Sequence, residues 1–259
     1  MFPELFRIPF LDWPISSFGV MMALGFLASW WIVGKRFEEH GMDPELSSTI
    51  VLYCALGGIV GAKLYFAIDV GLIRGEGDFF GKLIDRGGIT WYGGLLGGIL
   101  VTTIGTRIHQ IPTRLVASAV AAAAPFGQAL GRIGCFLVGD DYGHRTEGWW
   151  AVAFPKGAPP TVTAAGEVFS VHPTQLYEVA WLIPVGIFLW SRRKVSNCLF
   201  GEYLMLAGIG RFFVEFLRVN PEAGLGLTSA QWIAVGLFST GTALCFYYRD
   251  KPEPVPVPA

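Results

Sequence analysis

The chain has 259 residues, of which 53% are hydrophobic and only 15% are charged, whereas a soluble domain carries roughly 25% charged residues. Nineteen Lys and Arg against twenty Asp and Glu leave a formal charge of −1, so the basic surface that binds nucleic acid is missing. With a mean hydropathy of +0.50, this composition excludes an ordinary soluble protein and indicates a protein embedded in membrane lipid.

Seven apolar segments are candidates for membrane-crossing helices, since about 20 mostly apolar residues cross the hydrocarbon core of a bilayer. In chain order they cover residues 13–34, 47–68, 87–106, 113–138, 174–191, 199–217 and 223–248. We therefore predict an all-α, polytopic membrane protein with about seven transmembrane helices, forming a single domain over residues 1–250. Residues 251–259 alternate proline with other residues and are predicted to form a disordered tail.

Lysine and arginine in the connecting segments indicate the orientation, because cytoplasmic loops hold the excess of these residues. With the N-terminus outside, the inner segments carry nine of them: Lys35, Arg36, Arg107, Arg114, Arg192, Arg193, Lys194, Arg249 and Lys251. The outer segments carry seven, spread over longer loops: Arg7, Arg74, Lys82, Arg86, Arg145, Lys156 and Arg218. This bias favours an external N-terminus, a cytoplasmic C-terminus and an external loop at about 136–172.

Glycine is abundant, at 34 residues, although each costs about 1 kcal/mol inside a soluble helix. Pairs spaced by four residues occur in the second and third apolar segments, namely Gly57 with Gly61, Gly93 with Gly97, and Gly94 with Gly98. This spacing predicts close packing of membrane helices. The four cysteines show no spacing typical of a zinc site or a disulfide framework.

Three basic residues fall inside the apolar segments, where a charge costs at least about 2.5–3.5 kcal/mol. They are Lys63, Arg132 and Arg211. Arg211 shares one helix face with Glu215 and Arg218, through spacings of four and three, so a simple ion pair within the helix is one interpretation. Arg132 could extend to the outer interface. The alternative is that the two arginines bind an anion together, and a phospholipid headgroup is the anion most available in a bilayer.

The start of the fifth segment is polar. His172 precedes a proline, which disfavours helix at that position and places the imidazole at the outer end of the segment. It is either a headgroup contact or a helix-entry residue without chemistry. Gln175 and Glu178 lie on one helix face below it.

Four ordered segments resemble the prolipoprotein diacylglyceryl transferases of bacteria. They are Gly131-Arg132-Ile133-Gly134-Cys135-Phe136-Leu137-Val138-Gly139-Asp140-Asp141-Tyr142-Gly143, Asp85-Arg86-Gly87-Gly88-Ile89-Thr90-Trp91-Tyr92-Gly93-Gly94-Leu95, His172-Pro173-Thr174-Gln175-Leu176-Tyr177-Glu178, and Gly210-Arg211-Phe212-Phe213-Val214-Glu215-Phe216-Leu217-Arg218. A weaker similarity covers Gly61-Ala62-Lys63-Leu64-Tyr65. The resemblance spans nearly the whole chain and implies the same seven-span topology.

The resemblance implies an enzyme of the bacterial plasma (inner) membrane that needs no metal or cofactor. Such an enzyme moves the diacylglyceryl group of phosphatidylglycerol onto the thiol of the lipobox cysteine in a prolipoprotein signal peptide. Four residues are expected to be catalytic: Arg132, Arg211, Tyr92 and Asp140. Nine more are expected to contact the substrates: Lys63, Tyr65, Cys135, Gly143, His172, Gln175, Glu178, Glu215 and Arg218.

The chain departs from the family signature at four positions. Cys135 and Val138 stand where the signature has asparagine, Asp140 stands where it has glutamate, and Phe18 stands where it has tyrosine. Tyr92, which falls where many members have histidine, would be a poor base at neutral pH. The altered signature leaves other functions open: a divergent relative with another acceptor, a lipid or anion transporter, or a non-catalytic lipid-binding protein.

The residues after the fourth segment carry a specific structural expectation. Asp140 lies eight residues beyond Arg132, and Gly139 and Gly143 allow the chain to fold back towards the arginine. We predict that Asp140 fixes an arginine by a charge-assisted hydrogen bond. The neighbouring Asp141 is predicted to matter less.

Overall fold

The computed structural model describes residues 2–10, 12–75, 77–84, 88, 90–194 and 197–252. The side chains of Ile8, Trp13, Trp91 and Tyr92 are outside this description, as are residues 253–259 of the predicted tail.

Helices dominate the described residues, which confirms the predicted helical class. In chain order the elements are β1 (Glu4–Ile8), β2 (Trp13–Ser16), α1 (Ser17–Glu39), α2 (Leu46–Phe66, continued by a π-helical segment Ala67–Ile73), α3 (Phe79–Ile84), α4 (Trp91–Ile108), α5 (Thr113–Val138), α6 (Thr174–Arg192), α7 (Leu199–Glu215), β3 (Glu222–Gly224), β4 (Leu227–Thr228) and α8 (Ser229–Tyr248). Strands β1 and β2 form one antiparallel hairpin, and β3 and β4 form another.

Among the described residues, four helical stretches are long and apolar enough to cross a membrane. They are Ser17–Glu39, Leu46–Ile73, Thr113–Val138 and Ser229–Tyr248. Helices also occupy the other three predicted segments, but α7 has only 17 residues and the apolar part of α4 covers only Gly93–Ile108. The structure is that of a polytopic membrane protein, while the number of seven spans and the external N-terminus stay predictions.

Two predicted segment boundaries are wrong for local reasons. The first segment was expected to begin at residue 13, but β2 occupies Trp13–Ser16, and the Ser16 hydroxyl accepts a hydrogen bond from the Gly19 amide at 3.0 Å, which marks the start of α1. The last segment was expected to begin at residue 223, but the β3–β4 hairpin fills its first turns. Helix α8 starts only where Thr228 and Gln231 form a reciprocal capping box.

The described residues form two compact units. One comprises residues 2–29 and 118–252, and the other comprises residues 30–117. The predicted single domain over residues 1–250 stays a prediction.

In the unit of residues 30–117, α2 and α4 touch through their glycines, as the four-residue spacing predicted. A Cβ atom added at Gly97 would lie 2.2 Å from the Gly57 carbonyl oxygen, and one added at Gly61 would lie 2.3 Å from the Gly93 carbonyl oxygen. Real Cβ atoms do not approach other atoms this closely. Glycine at these positions is therefore required for the two backbones to meet.

In the other unit, α7 and α8 meet in the same way. Added Cβ atoms at Gly201 and Gly241 would each lie 2.5 Å from the carbonyl oxygen of the other residue, and one at Gly208 would lie 2.7 Å from the Ala234 carbonyl oxygen. The glycines bring the two helix backbones into direct contact along much of their length.

We expect Gly97→Ala to lower the free energy of unfolding by about 1–3 kcal/mol, because the new methyl group must push α2 and α4 apart. The measurement is thermal unfolding of the purified protein in detergent. Gly236→Ala on α8 is the matched control, since nothing lies within 4 Å of its added Cβ. Equal midpoints for the two variants would contradict the packing argument.

Candidate active site

The site begins where α5 ends and the chain turns back. The amides of Gly139 and Asp140 both donate to the Cys135 carbonyl oxygen, at 2.8 and 3.2 Å. Gly139 has a φ of +79° and Asp141 a φ of +60°, a left-handed conformation that glycine adopts freely and aspartate tolerates better than most residues. Two left-handed residues in three thus reverse the chain direction immediately after the last turn of α5.

Arg132, about two helical turns before this reversal, is held by two carboxylates. Its Nη1 lies 2.8 Å from Oδ2 of Asp141, and its Nε lies 2.8 Å from Oε2 of Glu178 on α6. The sequence contains no acid within one turn of Arg132 on α5. The compensating charge therefore comes from the reversed chain and from a second helix, and simple extension to the interface does not describe this residue.

Two more arginines join the same group from α7 and the residues after it. Arg211 contacts Glu178 at 3.3 Å and Glu215 at 2.9 Å. Arg218 contacts Asp141 at 2.5 Å, Glu178 at 3.7 Å and Glu215 at 3.8 Å. The expected ion pair within α7 is present, but it is one part of a larger network. We call Arg132, Arg211, Arg218, Asp141, Glu178 and Glu215 the ion-pair cluster.

Charge is balanced within the ion-pair cluster, since three guanidinium groups face three carboxylates. The members differ in exposure. The side chains of Arg132 and Arg211 are 22% and 26% exposed, whereas that of Arg218 is 7% exposed. A ligand can therefore reach Arg132 and Arg211, whereas Arg218 is buried and contacts only the carboxylates of the cluster among the described ion pairs.

Glu215 is the most deeply buried member and is held from the far side. Its Oε1 accepts hydrogen bonds from Thr228 Oγ1 at 2.9 Å and from Asn220 Nδ2 at 2.7 Å. Its Oε2 faces Arg211 and Arg218. With one oxygen fixed by neutral donors, the other is directed at the guanidinium groups.

The prediction that Asp140, and not Asp141, holds an arginine is wrong. Asp141 carries both ion pairs, whereas Asp140 forms none among the described residues and its Oδ1 has no hydrogen-bond partner there. The left-handed turn is the physical reason, because it directs the second aspartate, and not the first, at Arg132 and Arg218.

The two aspartates consequently titrate differently. Burial raises the pKa of Asp140 above its ordinary value. Burial acts in the same direction on Asp141, but the charges and hydrogen bonds of Arg218 and Arg132 outweigh it and hold the pKa of Asp141 below its ordinary value.

Cys135 lies beside both aspartates. Its Sγ accepts a long contact of 3.8 Å from Arg132 Nη1, and the ligand atoms of Cys135, Asp140 and Asp141 all lie within 4.8 Å of one another. These are the described residues that offer a group of donors to a metal ion. Two arginines already bind the Asp141 carboxylate, so the arrangement suits guanidinium groups better than a metal cation.

Three other predicted residues support the reversed chain. Gln175 is buried, and its Nε2 donates to the Asp140 carbonyl oxygen. The amide of Gly143 donates to the His172 carbonyl oxygen at 2.9 Å, and a Cβ there would lie 2.2 Å from the Leu217 carbonyl oxygen. The His172 ring contacts the Tyr177 hydroxyl through Nδ1 at 3.1 Å. Gly143 is thus required by a close backbone approach.

The remaining predicted residues, Lys63, Tyr65 and Tyr92, belong to the unit of residues 30–117. Lys63 Nζ donates to the Gly88 carbonyl oxygen at 3.2 Å, and Tyr65 is exposed. The side chain of Tyr92 lies outside the described residues, as do residues 85–87 and 89 of its motif. The roles of these residues stay predictions.

Sequence reasoning missed four residues that hold the cluster: Asp141, Thr174, Asn220 and Thr228. Thr174 donates from Oγ1 to the Asp141 carbonyl oxygen at 2.7 Å. Asp141 carries the required charge, but its neighbour Asp140 was the predicted partner of the arginine. Thr174 lies inside one of the segments that resemble the family, whereas Asn220 and Thr228 carry no signal in the sequence that separates them from ordinary loop and cap residues.

Comparison with known proteins gives a consistent result. The family model described as prolipoprotein diacylglyceryl transferase matches residues 3–247. The chain is 30% identical to the phosphatidylglycerol–prolipoprotein diacylglyceryl transferase of Chromohalobacter salexigens, over 92% of this chain and 90% of the relative. Relatives of the same name from Xanthomonas campestris pv. campestris and Geobacter sulfurreducens are 31% and 32% identical, each over 94% of this chain and 90% of the relative.

We expect Asp141→Asn to lower the free energy of unfolding at pH 7 by about 1–2 kcal/mol, a value reduced for the 43% exposure of the side chain. Because the folded-state pKa of Asp141 is depressed, its contribution is present above the ordinary value of 3.8 and is lost as the pH falls through the folded-state pKa. The gap between variant and parent should therefore close in thermal unfolding measured at progressively lower pH.

Asp140→Asn is the matched control. Since burial raises the pKa of Asp140, its ionised form costs stability at pH 7, and the amide should leave the midpoint unchanged or raise it. A larger loss for Asp140→Asn than for Asp141→Asn would show that the assignment of the two aspartates is reversed.

Proposed function

This chain belongs to the prolipoprotein diacylglyceryl transferase family, and from this premise we propose that its ion-pair cluster binds the phosphate of the lipid substrate. The protein is a transferase of lipoprotein maturation, which moves the diacylglyceryl group of phosphatidylglycerol to prolipoproteins. The acceptor atom in this proposal is the thiol sulfur of the lipobox cysteine.

One observation carries the assignment of the phosphate site. Arg132 and Arg211 come from separate helices, yet each contacts one oxygen of the same carboxylate, Glu178, and each remains partly exposed. A carboxylate that bridges two guanidinium groups holds them close together, ready to donate to a second anion. Arginine suits a phosphate here because its planar fork matches two oxygen atoms and its charge persists in a medium of low dielectric.

The reaction requires a new carbon–sulfur bond and the loss of a phosphate ester. The thiolate sulfur attacks the glyceryl carbon that carries the phosphate, the carbon–oxygen bond breaks, and glycerol phosphate leaves with the bonding electron pair. Negative charge grows on the departing phosphate oxygen. Arg132 and Arg211 would stabilise that charge as it develops in the transition state. They would therefore increase the rate of transfer as well as the affinity for the lipid.

The thiol proton needs an acceptor. The sequence offers Tyr92 as a candidate, and we propose Asp140 in its place. Two features of Asp140 support it as the base. Its Oδ1 has no hydrogen-bond partner among the described residues, and burial raises its pKa towards the range in which a carboxylate accepts a proton more readily. In this assignment Asp140 handles the proton, while Asp141 keeps the arginines in place.

The proposed topology places the reaction on the outer side of the bacterial plasma membrane. Seven spans with an external N-terminus put the end of α5, the start of α6 and the end of α7 on one side, together with the loop at about 136–172. The excess of lysine and arginine in the segments that would face the cytoplasm, nine against seven, supports this orientation. A signal peptide inserted in the same bilayer would present its lipobox cysteine near the outer side of the membrane, where these helix ends lie in the proposed topology.

Arg132→Ala and Arg211→Ala should each lower the rate of transfer at least about 100-fold, as expected when a donor to developing negative charge is removed. Arg→Lys at either position should restore little, since lysine lacks the two-pronged geometry. The assay uses purified protein, phosphatidylglycerol and a lipobox peptide, and mass spectrometry detects the diacylglyceryl adduct. Arg249→Ala is the control, because Arg249 is exposed and pairs only with Asp250 among the described contacts. Near-normal activity of either alanine variant would remove that arginine from the phosphate site.

Reporter fusions test the orientation separately. A fusion after Lys251 should be active only with a cytoplasmic reporter, and an insertion at Gly157 only with an external one, because the two positions lie on opposite sides in the seven-span arrangement. The reverse pattern would overturn the topology without touching the assignment of the phosphate site.

A further inference from the structure

Cys198 and Cys245 meet at the end of the α7–α8 pair that is remote from the ion-pair cluster. Cys198 immediately precedes α7, and Cys245 lies in the last turn of α8. Cys198 Sγ donates to the Cys245 carbonyl oxygen at 3.4 Å, and Cys245 Sγ donates to the Cys198 carbonyl oxygen at 3.5 Å. Each sulfur is thus directed at the other residue.

The helix packing explains this approach. Gly201 lies three residues after Cys198, and Gly241 lies four residues before Cys245, so the cysteines occupy the helical turn next to the glycine contact. A Cβ added at Gly201 would lie 2.7 Å from Cys245 Sγ. A disulfide needs a Cα separation of roughly 4.4–6.8 Å, and direct contact of the two antiparallel backbones favours such an approach of facing residues.

Neighbouring contacts hold both segments in place. Arg192 on α6 makes two hydrogen bonds to Glu202 in the first turn of α7, at 3.0 and 2.8 Å. Asn197 Nδ2 donates to the Lys251 carbonyl oxygen at 2.7 Å, which ties the residue before Cys198 to the chain beyond α8. The two thiols are therefore positioned by contacts on either side and do not depend on a mobile loop to meet.

We propose that Cys198 and Cys245 are a disulfide-forming modification site whose reactant is a small-molecule disulfide, such as oxidised glutathione. The thiolate of one cysteine attacks the small disulfide and releases one equivalent of its thiol. The second cysteine then attacks the mixed disulfide, forms the bond between Cys198 and Cys245, and releases the second thiol. Both protein sulfurs are oxidised, one small disulfide is reduced to two thiols, and the two cysteine protons end on these thiols.

The other two cysteines do not share this arrangement. Cys54 lies on α2 in the unit of residues 30–117, and Cys135 lies near the end of α5 beside Arg132. Thirteen residues separate Cys198 from Arg211, which corresponds to about 20 Å along a helix axis. The disulfide would thus join α7 to α8 without contacting the ion-pair cluster.

The test uses the purified full-length protein in detergent, incubated with oxidised glutathione and then digested after blocking of the remaining thiols. We expect one linked peptide pair that contains Cys198 and Cys245, and an increase in the thermal unfolding midpoint that dithiothreitol reverses. Cys54→Ser, the matched control, should form the same link. Cys198→Ser and Cys245→Ser should each stop at a stable mixed disulfide with glutathione, because the resolving thiol is missing.

Two results would overturn the proposal, and both can be read from the unmutated protein. One is glutathione attached separately to Cys198 and Cys245 without a link between them. The other is a link that joins either cysteine to Cys54 or Cys135.

Discussion

One carboxylate, that of Glu178, holds the candidate active site together. Its two oxygens contact Arg132, Arg211 and Arg218, which come from different parts of the chain. Three guanidinium groups placed together in a medium of low dielectric repel one another and each pays a desolvation cost. A carboxylate shared among them offsets both costs at once, which explains why α5, α6 and the end of α7 converge at this point.

The second constraint is that the carboxylates themselves must be fixed. The Thr228 hydroxyl fixes Glu215 by donating a hydrogen bond to its carboxylate. The same hydroxyl accepts a hydrogen bond from the Gln231 amide at the start of α8. The start of α8 and the orientation of Glu215 are thereby linked. Asp141 is fixed differently, by a left-handed backbone and by the Thr174 hydroxyl on its carbonyl oxygen.

Glycine serves both units of the structure through backbone contact. Between α2 and α4, and again between α7 and α8, the carbonyl oxygen of one glycine occupies the space where a side chain would otherwise stand. Lipid offers helices no hydrophobic reason to associate, so close van der Waals packing of backbones must supply the attraction. The same packing that keeps α7 beside α8 brings Glu215 within reach of Thr228, and brings Cys198 to Cys245 at the other end.

The sequence by itself determined the helical membrane class, the glycine contacts between α2 and α4, and the presence of Arg132 and Arg211 inside apolar segments, because the cost of a charge in lipid and the spacing along a helix are local properties. It could not determine that Asp141 takes the arginines in place of Asp140. That choice depends on a backbone reversal and on partners such as Arg218, 77 residues away. The first residues of α1 and α8 also depend on distant or non-helical partners, namely β2 and the β3–β4 hairpin. An apolar run in the sequence does not show where strand pairing or a capping side chain interrupts it. Only the tertiary structure brings such distant groups together, and their pairing, not their presence, gives the site its geometry.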